Sequence, residues 1–210
     1  MHVRSLSAVV LAALLAAPSM AHAQARKPAK AAAPAASAAP QYSVGGWIGY
    51  EMGDLDGLQL RADGIMPYKK LTPQIALSFV GSLGYSYLTH SESTSVPGFP
   101  SLTASVDSTV HLLKIVPAAR FTLPLNPQLS FFGDAGLGFY YASLSVDTET
   151  SGVTQSVSDS SFGFMFRFGV GGLYQLNPRT QIGASLMLDP MLGDYDDSTF
   201  TLLAGLTYRL

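Results

Sequence analysis

Beyond its first two dozen residues this chain is rich in oily side chains, yet it never strings them together for long. Phe200, Leu202, Ala204, Leu206, Tyr208 and Leu210 alternate with Thr199, Thr201, Leu203, Gly205, Thr207 and Arg209. Phe162, Phe164, Phe166, Phe168 and Val170 alternate in the same way with Ser161, Gly163, Met165, Arg167 and Gly169. A period of two puts one set on each face of a β-strand. Hydrophobic residues make up 48% of the chain and charged residues 12%, the latter about half the share in a soluble domain. So apolar a chain, with no run long enough for a transmembrane helix outside its start, presents its oil by alternate residues.

The alternation is punctuated at near-even spacing by Leu71-Thr72-Pro73, Leu125-Asn126-Pro127 and Leu176-Asn177-Pro178. Pro fixes its own φ and pushes the residue before it out of the helical region, so each marks a tight turn. The spacing predicts strands over 43–52, 57–68, 75–89, 106–123, 129–146, 161–174, 180–192 and 199–210. Their other connections are short at 53–56 and 193–198, and long at 90–105 and 147–159. Eight strands with tight turns on one side and longer loops on the other predict an all-β fold, an eight-stranded antiparallel up-and-down transmembrane β-barrel. Tyr50, Tyr68, Tyr85, Tyr87, Tyr140, Tyr141, Tyr174 and Tyr208 fall near strand ends, where an interfacial girdle is expected. The first strand has the least distinct faces, because Gly45, Gly46 and Gly49 interrupt it and Trp47 falls on the inward parity.

The ends of the chain agree. Residues 1–23 read as a signal peptide, with a basic start at His2 and Arg4, an apolar run from Ala8 to Ala17, and Ala21-His22-Ala23 at the cleavage position. Residues 24–41 form an Ala- and Pro-rich linker carrying Arg26, Lys27 and Lys30, an extended spacer in character. Residues 42–210 suit one domain. The chain has no cysteine, which excludes a lipoprotein anchor, disulfides and thiolate metal sites.

A soluble barrel would share the period of two but not its polarity. With the register set by the large apolar residues, Glu51, Arg61, Asp63, Lys114, Arg120, Asp134, Arg167, Asp189 and Arg209 all fall on the opposite face. A Lys or Arg facing lipid at mid-bilayer costs about 2–4 kcal/mol, so these nine belong in the lumen. An eight-stranded barrel is only wide enough for its own side chains. Charges packed there must pair, since leaving one buried and alone costs about 3–5 kcal/mol. Hairpin geometry predicts Glu51 with Arg61 and Arg167 with Asp189. The remaining acids, Asp54, Asp56, Glu92, Asp107, Asp147, Glu149, Asp159, Asp194, Asp196 and Asp197, gather on the long-loop side. Lys69, Lys70 and Arg179 lie on the tight-turn side.

Other chemistry is weaker. Asp194-Tyr195-Asp196-Asp197 clusters carboxylates, as divalent cations or cation-bridged lipopolysaccharide would require, but its spacing matches no calcium loop and a solvated acidic loop accounts for it. His90-Ser91-Glu92 supplies the residue types of a lipid deacylase at a strand end, yet alternation sends Ser91 to the face opposite His90 and Glu92. His111 falls on the apolar face as an interfacial histidine. Gly169-Val170-Gly171-Gly172 lies within a strand and lacks the strand-to-helix setting of a phosphate loop. No metal cluster or basic nucleic-acid patch stands out, and no cofactor or nucleic-acid partner is expected.

The signal peptide, the alternating strands, the Leu-Asn-Pro turns, Val116-Pro117-Ala118-Ala119-Arg120-Phe121 and the closing Leu206-Thr207-Tyr208-Arg209-Leu210 resemble the outer-membrane protein β-barrel domain superfamily, which holds OmpA-, OmpX- and opacity-like barrels. The resemblance covers 42–210. It implies location in the bacterial outer membrane, contact with outer-membrane lipids and lipopolysaccharide, and recognition of the last strand by the outer-membrane assembly machinery, for which Leu210 replaces the usual terminal aromatic residue. It does not imply an OmpA-type wall anchor. The expectation is a monomeric, non-enzymatic barrel with a filled lumen, serving envelope integrity and display of surface loops. The alternatives are a narrow porin-like channel and a surface adhesin.

Overall fold

The computed structural model describes residues 41–96, 99–150, 153–193 and 198–210. The expected signal peptide, nearly all of the linker and the Asp194–Asp197 cluster lie outside the described residues. Eight strands follow one another: β1 (Ser43–Met52), β2 (Asp56–Lys70), β3 (Ala76–Val96), β4 (Phe99–Pro124), β5 (Leu129–Thr150), β6 (Val153–Gln175), β7 (Thr180–Leu192) and β8 (Ser198–Arg209). Each pairs antiparallel with its chain neighbour, and β1 closes the ring against β8, with Trp47 opposite Gly205 and Glu51 opposite Thr201.

The three Pro turns are built alike, and their side-chain oxygens explain why Thr or Asn precedes each Pro. Asn126 Oδ1 accepts the amides of Gln128 and Leu129 at 2.9 and 2.8 Å. Asn177 Oδ1 accepts those of Arg179 and Thr180, both at 2.9 Å. Thr72 Oγ1 takes Gln74 and Ile75 at 3.3 and 3.0 Å. Each side chain thus mimics a backbone carbonyl and fixes a short reversal. Both ends of the barrel domain lie on this side, where Leu210 N donates to Tyr42 O at 2.9 Å. In bacterial barrels the short turns face the periplasm.

Outside, the barrel is oily. Leu58, Phe79, Leu83, Ile115, Phe139, Phe164 and Leu202 are all exposed, Leu58 at 59%. The charged row lies within: Glu51, Lys114 and Asp189 are at 0%. That polarity is the reverse of a soluble barrel's. Of the expected girdle, Tyr50, Tyr68, Tyr85, Tyr87, Tyr141, Tyr174 and Tyr208 are exposed, but Tyr140 is buried in the lumen at 1%. It follows its inward parity, and its neighbour Tyr141 takes the outer face. Trp47 is inside at 4%, where Gly205 makes room: a Cβ on Gly205 would come within 2.5 Å of the indole.

The expected long loops 90–105 and 147–159 are instead mostly strand. β3 and β4 stay paired from Ala76↔Thr122 to Thr103↔Ser95, and β5 and β6 to Thr150↔Val153. Their neighbours stop short: β2 begins its pairing with β3 at Asp56↔Thr89, and β7 meets β6 no higher than Leu192↔Phe164. The four central strands therefore continue past the rim as a projecting sheet. The alternation of oil and polar residues fades there because no lipid requires an apolar outer face. The Ser- and Thr-rich composition reads as loop although Thr suits a strand.

Candidate functional site

The lumen is the most built part of the molecule, and its charges form two groups. In the group nearer the projecting sheet, Lys114 of β4 reaches Glu51 of β1 at 2.5 Å and Asp189 of β7 at 3.3 Å. Arg167 of β6 grips both oxygens of Asp189 at 2.8 Å. Glu51 Oε2 also accepts from Gln59 Nε2 at 2.9 Å and from Ser86 Oγ at 2.5 Å, and Lys114 touches Thr199 Oγ1 at 3.4 Å. Two cations face two anions, and the contacts join every strand but β5. Charge-assisted and bidentate bonds of this kind are the strong ones.

The second group sits nearer the periplasmic turns. Arg120 of β4 holds Asp134 of β5 through two bonds of 2.7 Å, and the same Nη2 lies 3.6 Å from Asp63 of β2. Asp63 also pairs with Arg61 at 3.1 Å and accepts from Ser82 Oγ at 2.8 Å. Arg120 lies over the ring of Phe132 at 4.2 Å, and Arg61 over that of Trp47 at 4.9 Å. Cations stacked on aromatic faces gain attraction where water is excluded. Again two cations meet two anions.

One expected pair is not made. Glu51 and Arg61 take other partners, because the β1–β2 register sets Glu51 opposite Gly57 and Arg61 opposite Trp47. That offset aims Glu51 across the lumen at Lys114 and leaves Arg61 beside Asp63, two residues along its own strand. Arg167 and Asp189 do pair, since the β6–β7 register centres on Pro178 and brings them face to face. Arg209 is half-buried at the periplasmic mouth rather than within the filled lumen, its Nη1 donating to Pro178 O at 3.3 Å. It lines a cup of about 460 Å³ with Ser43, Ser78, Thr122 and Gln181, floored by Arg120.

The lumen also holds apolar side chains that a purely ionic reading missed. Leu88, Val110, Leu112, Val116, Tyr140, Met165 and Met191 pack together in one cluster, and Trp47, Phe132, Leu173, Met187 and Leu203 in another. Inward parity was the available signal, most plainly at Met165 and Leu203, but these residues were outnumbered by the charges. A closed lumen needs only to be filled, and packed hydrocarbon does so as well as paired ions.

The surface candidates are less organised. His90, Ser91 and Glu92 are all exposed and lie opposite Ser108, Asp107 and Val106 in turn, so Ser91 stays on the other face from its neighbours. His111 is exposed beside Tyr87, its Nδ1 2.7 Å from Tyr85 Oη. Gly171 backs onto the lumen, where a Cβ would meet Phe132 at 2.4 Å. Among the described residues no group of three or more acids and histidines is placed to hold a metal ion.

The outer membrane protein beta-barrel domain matches residues 7–209 of this chain. Among solved structures, the chain is similar to the outer membrane protease OmpT from Escherichia coli, at 10% identity over 74% of this chain and 65% of that one, with a TM-score of 0.54. It is also similar to Neisserial surface protein A, at 10% identity over 81% and 97% with a TM-score of 0.49. A third likeness is to Ail, the attachment invasion locus protein of Yersinia pestis, at 17% identity over 81% and 97% with a TM-score of 0.44. No curated protein matches the sequence. With its oil outside, its charges inside and its ring closed, the chain belongs to the outer membrane protein β-barrel domain family and resides in the bacterial outer membrane.

Proposed function

We propose that this protein is a non-enzymatic, non-conducting barrel that supports envelope integrity and presents the β3–β6 sheet at the cell surface. The observation that carries this reading is the Glu51–Lys114–Asp189–Arg167 group, whose members are between 0% and 1% exposed and bond across the lumen from wall to wall. An ion crossing the barrel would have to break those bonds. The fold itself leaves catalysis open, since OmpT is an outer membrane protease. The non-enzymatic reading rests on the residues: the hydrolase-like trio His90-Ser91-Glu92 is split between two faces. The barrel acts as a monomer, with outer-membrane lipids and lipopolysaccharide as its surroundings, and reaches the membrane through recognition of β8 by the assembly machinery.

The test is planar-bilayer recording on the purified, refolded barrel. No steady current above the bare membrane is expected, and stepwise conductance from the wild-type protein would overturn the reading in favour of a narrow channel. The projecting sheet favours surface attachment as a second role. Cells carrying a barrel trimmed of residues 91–106 and 148–159 should then lose attachment to the surfaces that wild-type cells bind. Unchanged attachment would exclude it.

A further inference from the structure

The lipid-facing wall is not uniformly bulky. Across β2 to β5 one patch is lined by Gly64, Gly81, Pro117, Ala119 and Ala135, and together with Met66, Phe79 and Leu137 they form an open apolar groove of about 710 Å³. The register explains why it is continuous: Gly64 lies opposite Gly81, Gly81 opposite Pro117, and Ala119 opposite Ala135. The glycines are not required by neighbours. A Cβ on Gly81 would meet nothing within 4 Å, and one on Gly64 only the Gly81 carbonyl at 4.0 Å. Glycine in a strand sacrifices packing and backbone entropy, and here it leaves space on the side that faces acyl chains. The rows on either side are large, with Leu83, Ile115 and Phe139 above and Leu77 and Phe121 below.

A cation stands at the periplasmic end of this groove, and a bulge puts it there. Pairing between β2 and β3 slips between Pro67 and Lys69, so that Lys69 lies opposite Leu77. Without the slip, Lys69 would share the inward parity of Arg61 and Asp63. A bulge re-aims the side chains beyond it, and this one turns Lys69 to the outer wall. Phe79, which lines the groove, packs on Tyr68 at 5.1 Å, and Lys69 Nζ lies 5.4 Å from the centre of the Tyr68 ring. An oily trough thus leads through two aromatic rings to an ammonium at the membrane surface. An acyl chain matches the trough, and a headgroup of net negative charge matches the ammonium best.

We propose that this groove is a binding site for one acyl chain of an anionic phospholipid of the periplasmic leaflet, whose phosphate meets Lys69. A zwitterionic lipid would share the chain but not the net charge. A lysine at a membrane surface favours an anionic lipid by roughly fivefold.

Native mass spectrometry of the refolded barrel, released from micelles holding equal phosphatidylglycerol and phosphatidylcholine, tests this. Wild type should retain one lipid with a preference for phosphatidylglycerol of about that size. Lys69→Gln should keep the adduct and lose the preference. Gly81→Leu should lose both adducts while retaining heat-modifiable gel mobility as a sign of folding. Ala119→Leu narrows the same groove from β4 and serves if Gly81→Leu does not assemble. Ala204→Leu, on the far wall, should behave as wild type. Wild type that retains no lipid or shows no preference for phosphatidylglycerol, filled variants that retain as much as wild type, or a dimer seated on this face would each overturn the proposal.

Discussion

Lys114 stands between two carboxylates from different strands, Glu51 and Asp189, so its removal leaves more anion than cation in a closed space. Lys114→Met keeps the volume and deletes the charge. It should destabilise the barrel by about 3–5 kcal/mol, the cost of breaking a buried pair, read as a lower urea midpoint for the barrel refolded in vesicles. Arg209→Met, at the wetter mouth, should cost under about 1 kcal/mol in the same assay. Equal effects would mean that the two sites do not differ in burial as described. Packing is as strict at Gly205. Valine there would press on Trp47 and the Gly46 carbonyl, and overpacking of this kind costs about 1–3 kcal/mol. What could be read of such contacts beforehand depended on distance along the chain. Arg167 and Asp189 flank one turn, and counting from Pro178 pairs them. Glu51 and Lys114 meet across the lumen from strands that are not neighbours, and no hairpin count reaches that far.

At the level of elements, the turns and the last strand carry the clearest tests. Asn126→Ala removes the acceptor of two amides, which should lower stability by about 1 kcal/mol and slow hairpin formation. Asn177→Ala should do the same, and a neutral result at both positions would show that the Pro alone sets the reversal. Leu210→Phe tests the proposed recognition of β8: an aromatic residue next to Arg209 should raise the fraction of protein assembled in the outer membrane, measured as heat-modifiable species. The strands inside the bilayer were legible because lipid demands oil on one face and a narrow lumen demands small or paired groups on the other. Beyond the rim only the second half of that constraint weakens slowly, while the first vanishes. So β3 to β6 run four to eight residues further past the rim than the alternation predicts. The bulge at Lys69 was illegible for a different reason, since one inserted residue leaves no mark in composition.

For the whole molecule, the sheet that rises past the rim has consequences for solution behaviour. β3 beyond Thr89 and β6 before Phe164 pair with no further described strand on their outer sides. Each therefore presents free amides and carbonyls at every second residue, the kind of border on which foreign strands align. The sequence carries Glu92, Asp107, Asp147 and Asp159 along this region without one Lys or Arg. Two copies approaching border to border bring like charge against like charge. That mutual repulsion is the guard against zippering, and salt should lift it. Sedimentation of the detergent-solubilised protein should show a single species in dilute buffer and growing self-association near 1 M salt, where screening acts over about 3 Å. Such a molecule tolerates crowding among its own kind only while its projecting sheet stays negatively charged and unscreened.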